Sequence, residues 1–380
     1  MSQITVSPVL TDKDMQDFLS LPKSIMANNP MFIPPMEKMV RDQLNPKKNP
    51  WFRHGVSKLF LARSGTVSVG RLSAQIDYSH NSGNESTMGF FGFFDCINDQ
   101  VVADELFSKA TDWLRDRGIV SVRGPFTLNI NEEAGLLIDG FDSPARMMMG
   151  QGQPYYKELI EKNGFRGVKD LFAYLTPMDT AYPKSNEKLL RRIKKNPDLT
   201  FRHLDIKCYE RDMAIVVQIF NDAWQSNWGF IKMTPDDVSY MAQQLKPLII
   251  PELIWFAFYK GEPAAMAVAL PDLNEIISDL GGKLWPFGWI KLFWRLITRR
   301  SWCSRTRIPL MGVAPRFQRK AFGSLLSLIT VGAIRDESLK LNLPVCEMSW
   351  ILEENDSVRH SIEEIGGLIY KTYRIYERFI

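Results

Sequence analysis

The stretch that decides the fold lies in the C-terminal half and reads Leu310-Met311-Gly312-Val313-Ala314-Pro315-Arg316-Phe317-Gln318-Arg319-Lys320-Ala321-Phe322-Gly323-Ser324-Leu325-Leu326. A short apolar strand is predicted to end at Val313, and an apolar helical run extends from Ser324 to Ile334. The loop between them would set unpaired helix amides and the positive end of the helix dipole beside the charges of Arg319 and Lys320. The pattern therefore predicts an anion cradle that suits a pyrophosphate.

The spacing of this loop resembles the acyl-coenzyme A (acyl-CoA) signature of the GNAT superfamily of acyltransferases. That signature reads Gln or Arg, two residues, Gly, one residue, then Gly or Ala. The corresponding residues here are Gln318, Arg319, Lys320, Ala321, Phe322 and Gly323. Ala321 replaces the usual first glycine, and no Gly-Lys-Ser/Thr closes the loop as it would in an ATP site. The alternative interpretation is a basic helix N-terminus on any α/β protein.

The resemblance implies acetyl-CoA or another acyl-CoA as cofactor. In GNAT proteins the strand before the loop separates from its neighbour, and its backbone pairs with the pantetheine amides. The cofactor-binding residues expected on this basis are Met311, Gly312, Val313, Gln318, Arg319, Lys320, Ala321, Phe322, Gly323, Ser324 and Asn355.

Composition fits a globular chain of two modules. Its 380 residues and 45% hydrophobic content suffice for two buried cores. A net charge of +4 is too small to argue for nucleic acid. The four cysteines include no Cys-x-x-Cys pair and the four histidines are scattered, so neither a metal site nor a disulfide framework is predicted. Residues 1–10 show no secretory signal, and a cytoplasmic location is expected.

The predicted elements alternate in mixed α/β order. A hairpin at Lys58–Leu72 precedes strands that alternate with helices, so part of the sheet should be parallel. The pattern begins again with a strand at Leu199 and a helix over Tyr209–Trp224. A helix over Glu354–Ile365 and a pair of strands ending at Ile380 are expected to close the chain.

A repeat of the sequence supports duplication of a whole module. Two segments match at one constant offset without gaps: Ile160-Glu161-x-x-Gly164 with Lys169 and Tyr174, and Ile362-Glu363-x-x-Gly366 with Lys371 and Tyr376. A helix that ends in glycine before a strand is common, which is the alternative. Both segments resemble the last helix and closing strands of GNAT domains.

The proline-containing, charged segment Pro177–Asp198 is the predicted linker. We therefore expect an α/β fold of two tandem GNAT-like domains, each a mixed, mostly antiparallel sheet flanked by helices. The N-terminal module would span residues 1–180. The C-terminal module would span residues 181–380 and carry the acyl-CoA loop and a Trp-rich insertion at 271–304.

Only the second module is expected to hold the cofactor. The counterpart of the loop in the first module, Phe94–Glu105, has no glycine, arginine or lysine and contains four acidic residues. Carboxylates there would repel the pyrophosphate that the basic loop attracts. The first module is then a substrate-side or structural partner.

The residues that would catalyse acyl transfer are less clearly marked. The reaction needs a deprotonated amine and an acid for the leaving thiolate. The resemblance implies a tyrosine acid in the last helix, but that position is Ile362 here and Ile160 in the first copy. The candidates that could replace it are Glu347, Tyr370, Tyr373 and Tyr376. Alternatively, Glu347 is a solvated strand position and the tyrosines belong to a half-buried strand.

A second candidate site is the polar, glycine-bounded loop Gly124–Gly135. Its Asn129, Asn131 and Glu132 could hydrogen-bond an acceptor substrate. Alternatively, this is a turn-rich connector whose side chains cap their own backbone.

The insertion contains an aromatic and basic run, residues 285–300, that is too short and too charged to span a bilayer. It is expected to pack against the protein, and the alternatives are that it docks between the modules, covers an acyl chain or makes peripheral membrane contact.

Three functions remain open. The first is an acyl-CoA-dependent N-acyltransferase acting on a small amine or amino-acid-like acceptor, with no nucleic acid involved. The second is a tandem GNAT transferase that takes its group from aminoacyl-tRNA, for which salt-sensitive RNA binding would be diagnostic. The third is a non-catalytic module that binds coenzyme A or a partner, which the missing tyrosine motivates.

Overall fold

In the computed structural model, the described residues are 3–81, 87–180, 191, 193, 195–225, 227–298, 303–318 and 321–380. No helix within those ranges combines the length and the apolar character needed to cross a membrane. Most of the predicted linker, including residues 181–190, lies outside the described residues.

The strands are labelled β1 to β13 in chain order. They are Ile4–Pro8, Gly55–Ser64, Val67–Asp77, Met88–Cys96, Ser121–Gly124, Leu136–Asp139, Arg166–Pro177, Leu199–His203, Ile254–Tyr259, Glu262–Pro271, Arg305–Val313, Val345–Leu352 and Leu368–Phe379. The helices are labelled α1 to α12 in the same way. They are Asp12–Ile25, Glu37–Gln43, Tyr78–Asn81, Gln100–Arg115, Tyr156–Lys162, Tyr209–Trp224, Pro235–Leu245, Leu273–Ile277, Gly288–Ile297, Pro315–Gln318, Ala321–Lys340 and Asp356–Glu364.

The chain divides into two compact units, each built from separate stretches of sequence. The first unit comprises Met1–Leu171, Ile277–Gly288 and Lys371–Ile380. The second comprises Phe172–Ile276 and Trp289–Tyr370. The boundary between residues 180 and 181 stays a prediction.

In the first unit, β1 to β4 form an antiparallel run and β4 continues the sheet in parallel with β5. The end of β13 then pairs antiparallel with β5, with Phe379 opposite Ser121. Helix α4 covers this sheet because its apolar side chains recur at helical spacing, and its Leu106 and Phe107 are buried in the core with Phe91. The unit thus has a mixed, mostly antiparallel sheet with helices packed on it.

The second unit repeats this order. Strands β8 to β11 are antiparallel neighbours, and β11 runs parallel to β12. Strand β10 is buried on both faces because α11 packs on β9 and β10, and α6 packs on β10 and β11. Helix α6 is tied to β8 by Arg202, whose guanidinium donates to Asp212 at 2.6 and 2.8 Å.

The predicted fold class is confirmed, and so is a partly parallel sheet, since β4 pairs with β5 and β11 with β12 in parallel. The predicted bounds of the helix over Tyr209–Trp224 are those of α6. The predicted closing pair of strands is wrong, because Leu368–Phe379 forms one continuous strand with no glycine or proline to turn it.

The repeated segments have equivalent structures. Each forms a helix, a glycine and a strand, and the glycines Gly164 and Gly366 have φ values of +80° and +86°. Only glycine adopts this conformation readily, which accounts for its place in both copies. The strand ends are exchanged between units: Phe172–Pro177 of β7 lies in the second unit, and Lys371–Phe379 of β13 lies in the first.

Because the strand ends are exchanged, the repeated tyrosine of one copy hydrogen-bonds to the repeated glutamate of the other copy. In the first unit, the hydroxyl of Tyr376 donates to Glu161 at 3.3 Å. In the second unit, the hydroxyl of Tyr174 donates to Glu363 at 2.8 Å. Each tyrosine therefore bonds to the glutamate of the other copy. Burial raises the pKa of Tyr376, and the nearby Glu161 carboxylate raises it further.

A candidate acyl-transfer site in the second unit

The candidate site begins where β11 and β12 stop pairing. Their parallel ladder ends at Ile308 opposite Met348. Strand β11 nevertheless continues to Val313, and β12 continues to Leu352. Across the described residues of the two strands, the second half of β11 thus has an edge that β12 does not cover.

Backbone groups of Met311 and Val313 face this edge. The amide of Ala314 donates to the carbonyl of Ala264 on β10 at 2.8 Å. Because backbone groups alternate along an antiparallel pair, Gly312 also faces β10, whereas Met311 and Val313 face away from it. This is the orientation that pairing with an extended ligand requires.

Side chains of the protein bond to both of these carbonyls. The indole Nε1 of Trp224, at the end of α6, donates to the Met311 oxygen at 3.0 Å. The amide Nε2 of Gln318 donates to the Val313 oxygen at 2.9 Å. The Trp224 ring also meets the ring of Trp350 on β12, with centroids 5.7 Å apart. A ligand pairing here must share these carbonyls, which have two lone pairs each, or displace the side chains.

Aromatic packing joins residues on the two sides of the loop motif to β9. Phe317, Phe322 and Tyr259 form a triangle with centroid separations of 5.5 to 5.7 Å. Arg319 and Lys320, the two predicted phosphate-binding cations, lie outside the described residues. The nearby Arg316 is described and forms an ion pair with Glu262.

Gly323 and Ser324 lie in the first turn of α11 and face different surroundings. A Cβ added to Gly323 would lie 2.4 Å from the carbonyl oxygen of Phe317. The helix and the preceding turn therefore approach so closely that only glycine fits. Ser324 is exposed on the same turn.

Glu347 is buried at the centre of a polar network on β12. Its carboxylate accepts hydrogen bonds from the hydroxyls of Ser349 and Tyr370. The Nε of Arg307, on β11, lies 3.4 Å from the carboxylate and 2.9 Å from the Ser349 hydroxyl. The alternative that Glu347 is a solvated strand position is wrong, since its exposed fraction is 1%.

The remaining predicted residues lie elsewhere. Asn355 caps α12, and its side chain accepts a hydrogen bond from the amide of Val358. Tyr373 and Tyr376 are fully buried in the first unit, whereas Glu347 belongs to the second. Buried and partly exposed residues largely alternate along β13, so the alternative that these tyrosines belong to a half-buried strand fits, with both of them among its buried residues. Their catalytic role, like that of Glu347, stays a prediction.

The candidate acceptor loop is in the first unit. The Asn129 side chain accepts a bond from the amide of Asn131 at 2.8 Å, as in an Asx turn. Glu132 accepts a bond from the side-chain amide of Gln43. The backbone-capping alternative thus describes Asn129, and substrate binding by the three residues stays a prediction.

In the first unit, the segment that corresponds in sequence to the predicted anion loop caps its helix with a carboxylate of its own, and the expectation that this unit holds no cofactor stays a prediction. Asp99 caps α4 by accepting a bond from the amide of Val101 at 2.9 Å. Asp95 is buried beside Arg71, with an Nε to carboxylate distance of 2.7 Å. Burial raises the pKa of Asp95 even though the Arg71 guanidinium opposes that shift. These acidic groups are unsuited to a diphosphate.

Sequence reasoning missed Trp224 and Arg307. Arg307 is a charged residue within an apolar strand. Burying a charge is unfavourable unless the charge has a partner, so the sequence did contain a signal for a buried partner of Arg307. Nothing local indicates that Trp224 reaches β11, because the two are 87 residues apart.

Solved structures identify the class of fold. A tandem GNAT protein from the clavulanic acid biosynthesis pathway matches 99% of this chain and 98% of its own, with a TM-score of 0.57 and 12% identity. A GCN5-related N-acetyltransferase from Sphaerobacter thermophilus matches 99% and 95%, with a TM-score of 0.54 and 11% identity. The chain has a tandem GNAT-like fold.

Closer sequence relatives define the family. No family model matches the chain. The chain is 40% identical over 380 residues to the "Bacterial ceramide synthase" of Caulobacter vibrioides, covering 99% of this chain and 98% of that protein. It is 38% identical over 376 residues to "Protein YghO" of Escherichia coli, covering 99% and 95%. The chain belongs to the family of these two proteins.

Proposed function

We propose that this protein is an N-acyltransferase that moves an acyl group from acyl-CoA to the amino group of a long-chain amino alcohol. The observation that carries the proposal is the edge of β11 that β12 leaves uncovered, in the strand that leads to the start of α11. An extended pantetheine arm can pair with such an edge, and a helix N-terminus stabilises the diphosphate.

The relative from Caulobacter supports the choice of acceptor. A ceramide is the amide of a fatty acid and a long-chain amino alcohol, so a synthase of that name forms an amide. The same bond made here would require a larger acceptor than the small amine or amino acid first expected. The acyl chain would correspondingly be longer than acetyl.

The chemistry is an acyl transfer. The amine nitrogen attacks the thioester carbonyl, the C–N bond forms, the C–S bond breaks, and coenzyme A leaves as a thiolate. One proton must leave the amine and one must reach the sulfur. Tyr370 is half-buried and hydrogen-bonded to Glu347, and we assign it the proton transfer to the thiolate. Glu347 is buried, so it acts as a positioning residue that is itself held by Arg307 and Ser349.

The experiment uses the purified full chain with acetyl-CoA and palmitoyl-CoA as donors. Sphinganine is the long-chain acceptor, and ethanolamine and glycine are the small ones. We expect release of free thiol, and an amide detectable by mass spectrometry, only with palmitoyl-CoA and sphinganine together. Tyr370→Phe should lower kcat while leaving KM for the donor largely unchanged. Absence of coenzyme A binding by calorimetry would overturn the proposal.

A further inference from the structure

Helix α9, Gly288–Ile297, presents an apolar face to the outside of the second unit. Five large apolar side chains are between 47% and 64% exposed: Trp289, Ile290, Phe293, Trp294 and Ile297. We call these five side chains the outer face. At 100° per residue they fall within an arc of about 140°. An apolar face of this size on a protein surface is typical of an interaction site.

The opposite face anchors the helix. The buried Arg295 guanidinium donates to the carbonyl of Ile276 at 2.7 Å. Leu292 and Leu296 pack against the core of the second unit. These contacts hold the opposite face of the helix against the second unit. The outer face therefore points away from that unit.

The chain around α9 is basic. From residue 280 to residue 304 the sequence contains five basic residues and no acidic residue; the basic residues are Lys283, Lys291, Arg295, Arg299 and Arg300. Arg295 is buried, whereas Lys291, on the same helix as the outer face, is exposed. Basic side chains beside tryptophan and aliphatic residues complement the phosphates and the acyl boundary of an anionic lipid surface.

From these observations we infer that the outer face docks this protein on the surface of an anionic lipid membrane. At ten residues the helix is too short to span a bilayer and would lie in the plane of the interface. Tryptophan is favoured at that depth because its ring is apolar and its N–H is polar. A second protein is the competing occupant, but lysine is depleted in the cores of protein interfaces.

The test is sedimentation of the full chain with vesicles, without acyl-CoA or amine. Vesicles of equal parts phosphatidylcholine and phosphatidylglycerol should bind the protein, and pure phosphatidylcholine should bind it less. The triple variant Trp289→Ser, Phe293→Ser, Trp294→Ser should lower the partition coefficient about tenfold or more. Leu368→Ser, which alters another apolar side chain of the second unit with 73% exposure, should bind as the wild type does.

Lys291→Glu provides a second variant, which changes the charge on α9. It should weaken binding to the anionic vesicles several-fold and leave binding to phosphatidylcholine unchanged. Thermal unfolding would verify that each variant is folded.

Two binding results would overturn the inference: no binding of the wild type to anionic vesicles, or equal binding by the wild type and the folded triple variant. A third result would also overturn it: a wild-type protein that is dimeric and does not bind vesicles, with a triple variant that is monomeric. Because no substrate is present, these results are independent of acyl transfer.

Discussion

A charge introduced at Ser324 provides a sharp test of the diphosphate site. Ser324 is exposed in the first turn of α11, so a longer side chain fits there. Ser324→Glu would set a carboxylate near a diphosphate bound to the helix amides, and a separation of about 6 Å is assumed for the calculation. Coulomb's law gives a loss of about 1 to 3 kcal/mol in binding free energy, depending on the effective dielectric constant. The Kd for coenzyme A should therefore rise about 5- to 150-fold.

The control is Ser324→Gln, which has the same shape without the charge and should change the Kd by about twofold or less. Titration calorimetry at low and high salt measures both variants. The difference between them should shrink at high salt because mobile ions screen an exposed charge. Equal affinities at low salt would refute the reasoning.

A substitution at Gly323 cannot be used to test the diphosphate site. Even Gly323→Ala forces a Cβ to within 2.4 Å of the Phe317 carbonyl oxygen. Any loss of coenzyme A binding in a Gly323 variant would follow from displacement of the preceding turn, whether or not the new side chain is charged.

Three other predictions concern stability. Burial raises the pKa of Asp212, but hydrogen bonds from two guanidinium groups and a backbone amide lower it overall, from 3.8 to about 2. This contributes about 2 kcal/mol of stability above pH 3.8 that is lost as pH falls through 2, and Asp212→Asn should remove that dependence in denaturant titrations from pH 5 to 2. Glu347→Gln should destabilise the second unit by about 3 to 5 kcal/mol because it leaves Arg307 buried without its carboxylate, and adding Arg307→Met should recover part of this; a loss below about 1 kcal/mol would contradict the pairing. A fragment of residues 1–180 should show no cooperative melting by circular dichroism, whereas fusing residues 371–380 to its end should restore cooperativity.

Local signals in the sequence predicted the elements that carry the site. An apolar strand, a basic loop and an apolar helix are encoded in adjacent residues, and the strand ending at Val313 and the helix that follows it are both present. The bounds of α6 follow from its helical spacing in the same way. The identity of the partners in the polar contacts was not predictable, because Arg307 and Glu347 come together only when two strands 40 residues apart align in parallel register.

The orientation of side chains at the candidate site also could not be predicted from the sequence. Gln318 was expected to hold the cofactor as the first residue of the loop motif. In the structure its amide reaches back to Val313, and to the carbonyl of Ala223 at 3.1 Å, so it ties the loop to β11 and α6. Motif spacing predicts which residues lie near a ligand. It does not reveal which of them support the loop.

The exchanged strand ends are compatible with the glutamate and the tyrosine that both copies of the repeat carry. Had each copy folded on its own, Tyr174 would bond to Glu161 and Tyr376 to Glu363; the observed partners are the reverse. A duplication that first gave two self-contained modules could exchange these ends without any change of sequence, since both copies present the same pair. After the exchange, neither unit is complete without residues from both halves of the chain. The repeat therefore marks two equivalent modules in the sequence, whereas each unit of the tertiary structure contains residues from both halves of the chain.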